Sequence, residues 1–80
     1  MVTVKFFGLI REEAGHKQLD LAAGTVRNIM EQAAALGIDK KIFREAVLFA
    51  GNRQLVGAKR FSFKLYDGDE LTLLSPLSGG

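Results

Sequence analysis

Eighty residues leave room for one domain, since a chain this short buries only about 60% of the surface its unfolded form exposes, and a 48% apolar content suffices for one compact core. The lack of cysteine excludes disulfides, thiolate nucleophiles and cysteine-held metal, and a single histidine leaves no zinc site to expect. A net charge of +2 carried by scattered Lys and Arg describes a solvated surface that can steer acidic partners, not a nucleic-acid groove.

Residues 2–10 (VTVKFFGLI) are β-branched and aromatic, with Val2, Val4 and Phe6 alternating against Thr3, Lys5 and Phe7. This predicts a strand with one face in the core. Phe7 and Leu9 fall on the opposite face, which would be polar if it were only wetted. Lys5 breaks the run, so the N-terminus does not read as a signal peptide and a cytosolic protein is expected. Residues 11–16 (REEAGH) read as a polar turn, and Gln18 to Leu21 as a second strand with Leu19 and Leu21 inward.

Thr25 is a good N-cap for the helix that follows. Val26, Ile29, Met30, Ala33 and Leu36 share one stripe, while Arg27, Asn28, Glu31 and Gln32 face water. Gly37 stands where a left-handed residue ends a helix, and Ile38 can supply the apolar contact of a Schellman ending. Residues 39–45 suggest one helical turn anchored by Ile42 and Phe43. Ala46 to Ala50 suits a buried strand, Gly51-Asn52 a turn, and Gln54 to Val56 a short return strand. Residues 57–66 read as extended, from the alternation of Phe61, Phe63 and Leu65 with Ser62 and Lys64. Asp67-Gly68-Asp69 marks a turn, and Leu71 to Leu74 a last strand stopped by Pro76.

This order predicts an α+β chain: a mixed sheet, its first and last strands adjacent and parallel, with one main helix packed across one face. That is the β-grasp. A body over residues 1–75 and a flexible tail over 76–80 are expected, because the last residues have little to pack against.

Conventional catalysis finds no support. Glu12 and Glu13, and the set Asp67, Asp69 and Glu70, read as solvated turn residues. His16 has no Ser or Cys neighbour, and no glycine-rich phosphate loop occurs. The terminal pair Gly79-Gly80 is different. With glycine at about 7% of residues, chance places such a pair at a chain end about 0.5% of the time. Without Cβ, the backbone can thread a narrow channel and open its terminal carbonyl to reagents from either side. A carboxylate becomes electrophilic once ATP converts it to an acyl-adenylate. It can then take sulfur as a thiocarboxylate, or an amine as an isopeptide, with no side-chain nucleophile of its own.

Three stretches carry a family resemblance: VKFFGLIREEAG at the start, GTVRNIMEQ at the helix and LYDGDELTLLSPLSGG at the end. The DGDE turn, apolar strand, proline and terminal Gly-Gly are its specific part, supported by the FFxxxRE pattern. The chain resembles the MoaD/ThiS group of ubiquitin-like sulfur carriers, most closely the small subunit of molybdopterin synthase. The resemblance implies a protein that is not an enzyme on its own and binds no cofactor. An E1-like (MoeB-like) adenylyltransferase would use ATP to activate Gly80, with Gly79 part of the same tail. A sulfurtransferase would supply sulfur, and the thiocarboxylate would enter a large (MoaE-like) synthase subunit. It also implies an apolar patch on the sheet, at Phe7, Leu55 and Leu74, that docks the partner, with Arg11 near the interface and Pro76 ahead of the tail. Neither nucleic acid nor membrane is an expected partner. Alternatives with the same tail chemistry are a protein modifier joined to lysines, like the small archaeal modifiers and Urm1-like proteins, and a ThiS-like carrier for thiazole synthesis; a third is a bare β-grasp interaction module whose Gly-Gly is incidental. Relatives carry two prolines where this chain has Ser75-Pro76, and the segment containing GAKRFSFK is longer here.

Overall fold

The computed structural model describes residues 1–76. Five strands form the main sheet: β1 (Val2–Phe7), β2 (Gln18–Leu21), β4 (Val47–Ala50), β5 (Arg53–Leu55) and β7 (Glu70–Leu74). They lie in the order β2-β1-β7-β4-β5, with β1 parallel to β7 and the other pairs antiparallel. A small ladder joins β3 (Gly24–Thr25) to β6 (Lys64–Leu65). The mixed sheet with a helix packed across it is a β-grasp, ubiquitin-like fold, as the order of elements predicts.

Helix α2 (Val26–Ala35) forms where the apolar period places it. Thr25 caps it reciprocally: its Oγ1 accepts from the Asn28 N–H at 3.1 Å, and the Asn28 side chain accepts from the Thr25 N–H at 3.0 Å. Val26, Ile29, Met30 and Ala33 are buried against the inner face of the sheet, alongside Val2, Val4, Phe6, Leu48, Leu71 and Leu73. Each large side chain so buried is worth about 1.5–3 kcal/mol over leaving it in water. Helix α3 (Lys40–Glu45) closes the core with Ile42 and Phe43. Phe43 meets Phe6 edge to face, with centroids 6.3 Å apart.

Several local expectations are corrected. Leu36, placed on the buried stripe, is 56% exposed. The helix ends at Ala35, and the chain reverses in a Schellman turn: Ile38 N–H reaches Ala33 O at 3.1 Å and Gly37 N–H reaches Ala34 O at 2.9 Å. Ile38 therefore takes the core place that the stripe assigned to Leu36. Gln32 is half-buried rather than facing water, bonding both N–H and C=O of Ala22 at 2.9 Å and tying β2 to α2.

The strand expected over 2–10 stops at Phe7, and the polar turn expected over 11–16 is mostly helix: α1 runs from Leu9 to Ala14. Gly8 has φ +74°, outside what a strand or an L-residue readily adopts, and Gly15, also at positive φ, ends the helix with its N–H on Arg11 O at 3.0 Å. Ile10 and Ala14, one turn apart, face the core. Residues 58–62 form a 3₁₀ helix (Ala58–Ser62) rather than an extended segment, opened by Gly57 at φ +82°. The expected alternation survives in burial, with Phe61, Phe63 and Leu65 turned toward the core and Ser62 and Lys64 exposed.

Candidate functional site at the end of the parallel strand pair

Strands β1 and β7 end side by side, Phe7 opposite Leu74, and Leu74 opposite Val47 of β4. Paired residues share a sheet face, so these three form one outward row. The next row is Lys5, Thr72 and Phe49, and beyond it come Thr3 and Glu70. The outer face thus grades from apolar near the end of β7 to charged at the other end, where Lys5 Nζ pairs with Glu70 at 3.3 Å. Phe7 is 39% exposed, and Leu74, Val47 and Phe49 are half-buried.

Of the residues the sequence singles out, Phe7 and Leu74 come together, and Arg11 joins them. The guanidinium of Arg11 lies 5.2 Å from the centre of the Phe7 ring, and its Nε donates to Phe6 O at 2.9 Å. The backbone bond fixes the arginine, which then braces the ring and sets a positive charge at the rim of the patch. Leu55 does not join them. It pairs with Leu48 on the inner face and is 6% exposed, a core residue and not part of an outward patch. Val47 and Phe49 take the place expected of it. The sequence AVLFA reads as a wholly buried run, but β4 lies in a sheet with one open face, and odd and even positions separate accordingly. Alternation relative to Leu48 was the available signal.

The exit of the chain from β7 is anchored. Ser75 Oγ accepts from the Ile10 N–H at 3.0 Å and donates to Phe7 O at 3.5 Å. One of the free N–H groups at the start of α1 is thereby satisfied. A Cβ on Gly8 would lie 2.7 Å from that hydroxyl, so the close approach of β7 to the β1–α1 loop needs glycine at this position. Pro76 follows, exposed. Leu77, Ser78, Gly79 and Gly80, including the pair expected to react, lie outside the described residues.

Among the described residues no group of acidic and histidine side chains could hold a metal ion, and no helix is long and apolar enough to cross a membrane. Glu12 and Glu13 sit exposed on α1, and His16 is exposed. Asp69 accepts from the Tyr66 N–H at 2.8 Å within its turn. The Met1 amino group, 2.8 Å from Asp67 Oδ1, holds that carboxyl below its ordinary range through the hydrogen bond first and its charge second. These are the bonds of a turn, not an acid–base pair.

No curated protein matches the sequence significantly. Solved structures do match the fold. A chain of the BexX/CysO complex from Amycolatopsis orientalis superposes with a TM-score of 0.80 at 22% identity, covering 100% of both chains. SAMP1 from Haloferax volcanii gives 0.69 at 21% identity, over 99% of this chain and 98% of that one. A chain of the complex of subunits 1 and 2 of the molybdopterin-converting factor from Helicobacter pylori gives 0.64 at 24% identity, over 99% and 97%. The ThiS family model matches residues 4–80, from the first strand through Gly79 and Gly80. The chain belongs to the ThiS family and carries the fold of the ThiS/MoaD-type ubiquitin-like sulfur carriers.

Proposed function

We propose that this chain is a sulfur carrier for molybdopterin synthesis, acting through the Gly80 carboxylate. An E1-like enzyme holds that carboxylate against the α-phosphate of ATP, forming the acyl-adenylate and releasing pyrophosphate. Sulfur delivered by a sulfurtransferase at the sulfide level then displaces AMP: a C–S bond forms as the acyl C–O bond breaks, leaving a thiocarboxylate. The large synthase subunit docks on the outer row of Phe7, Leu74 and Val47, with Arg11 at its rim, and receives the tail beyond Pro76. The observation that carries the carrier role is the family match running through Gly80, and the choice of the molybdopterin pathway draws on the likeness to a chain of the molybdopterin-converting factor complex. The Ser75 anchor supports it, because a fixed exit limits the directions the tail must search.

Intact-mass analysis of the full chain co-produced with an E1-like enzyme and a sulfurtransferase should show one oxygen replaced by sulfur at the C-terminus. Removing Gly79 and Gly80 should abolish transfer while leaving Tm unchanged; full transfer without them overturns the reading. The likeness to SAMP1 favours one alternative, conjugation to lysines, which would appear as Gly-Gly remnants on lysines of other proteins. Transfer to a thiazole precursor instead of a pterin would identify a ThiS-like carrier.

A further inference from the structure

Two strands from β7, the β5 edge of the sheet has a charge pattern that the carrier role leaves unused. Between Glu45 and Asp67 the chain has no acidic residue, but it has Arg53, Lys59, Arg60 and Lys64. Among the described residues the ion pairs are Met1–Asp67, Lys5–Glu70 and Lys40–Glu31, so none of these four cations meets a carboxylate. Arg53, Lys59 and Arg60 border a groove of about 320 Å³ between β5 and the 3₁₀ helix, whose apolar floor includes Leu55, Val56 and Phe63. Val56 is 71% exposed.

Two of the cations are held in place. Arg60 donates to Gly57 O at 2.7 Å and to Arg44 O at 3.0 Å and lies 4.4 Å from the Phe61 ring centre. Arg53 lies 5.2 Å from the ring centre of Phe63. Positioned guanidiniums lose little freedom when they bind a carboxylate. Strand β5 is the edge of the sheet, so half its backbone groups face outward without a strand partner.

We propose that this edge and its groove dock an extended, acidic segment of a partner protein. The segment adds a strand beside β5, sets alternate aliphatic side chains on the groove floor, and brings carboxylates to Arg53, Lys59 and Arg60. Nucleic acid fits less well, because a guanidinium already lies over each of the Phe61 and Phe63 rings, where a stacked base would compete with it. Charges that only guarded the edge against aggregation would need neither the groove nor its apolar floor.

The test is titration of the isotope-labelled full chain with an end-blocked octapeptide of alternating valine and glutamate, followed by backbone NMR. Saturable shifts confined to residues 53–63, slower amide exchange in β5, and affinity that falls with salt are expected. Lys59→Glu combined with Arg53→Gln should weaken binding at least tenfold with Tm retained. If that pair fails to fold, Lys59→Glu alone, an exposed position, should still weaken it severalfold. Shifts that are absent or spread over other surfaces overturn the proposal, as does equal binding of a valine–lysine peptide. Tighter binding of oligothymidylate would make the edge a nucleic-acid surface, and shifts that grow with protein concentration alone would make it a contact between copies. Either outcome removes the proposed partner.

Discussion

The two faces of the central sheet use the same strands differently. On the inner face Val4, Phe6, Leu71 and Leu73 have no exposed surface, and every one packs into the core shared with α2 and α3. One residue further along the same strands, Phe7 and Leu74 face outward with Val47, partly open to water. Apolar area on the inner face has been used up in folding. Area on the outer face is still available, and a partner can convert it into binding free energy. Adjacent phenylalanines in one strand thus separate stability from recognition.

The largest expected effect tests that separation. Phe6→Ala should cost about 3–5 kcal/mol of stability by opening a cavity beside Phe43. Leu55→Ala should behave like it in kind, at about 2–5 kcal/mol, and leave affinity for the large subunit unchanged once the folded fraction is accounted for. Phe7→Ala should cost the isolated domain under about 1 kcal/mol and weaken docking of the large subunit by about 1–3 kcal/mol. Urea unfolding measures the stabilities and calorimetric titration the docking affinities. Equal losses of stability for Phe6→Ala and Phe7→Ala would erase the difference between the faces.

A middle-sized effect concerns the joint between β7 and the β1–α1 loop. Gly8→Ala meets both a left-handed backbone and the Ser75 hydroxyl, and should destabilise by about 1–3 kcal/mol. Ser75→Ala removes the acceptor of the Ile10 N–H and should cost about 0.5–1.5 kcal/mol. In the double variant the clash with the hydroxyl is gone, while the tight approach to the Cβ of residue 75 at 3.1 Å and the backbone strain stay, so the two costs should sum to more than the measured loss. Strict additivity would show that the hydroxyl and the glycine do not constrain each other.

The smallest effect lies at the far end of the sheet. Because Asp67 titrates below its ordinary 3.8 in the folded protein, its contribution to stability is full above that value and is lost as pH falls through the lowered one. Both partners are well exposed, so Asp67→Asn should only flatten the acid limb of the stability curve slightly, below about pH 4. Unchanged docking in that variant would show that the outer row works independently of the DGD turn.

Much of this was legible locally. The alternation in β1, the Thr25 cap, the apolar period of α2, the Gly37-Ile38 ending and the DGD turn are each set by residues within a few positions of one another, so sequence alone carries them. The parallel placing of first and last strands is not local, since it pairs Thr3 with Glu70, but it follows from the order of elements and a right-handed crossover. Gly8 was the one local sign that β1 ends early: a glycine inside an apolar run marks a break, but the run reads as β on both sides of it. What only the tertiary structure decided is which apolar residues remain outside. Leu55 and Phe49 are equally hydrophobic and both lie in strands. Leu55 faces inward because β5 pairs with β4 in the register that sets it opposite Leu48, and Phe49 faces outward by the same alternation. Side-chain period along a strand separates two faces but does not say which one the helix will cover. That depends on where a distant segment packs, and the contact of Ser75 with Gly8 and Ile10 depends on it in the same way.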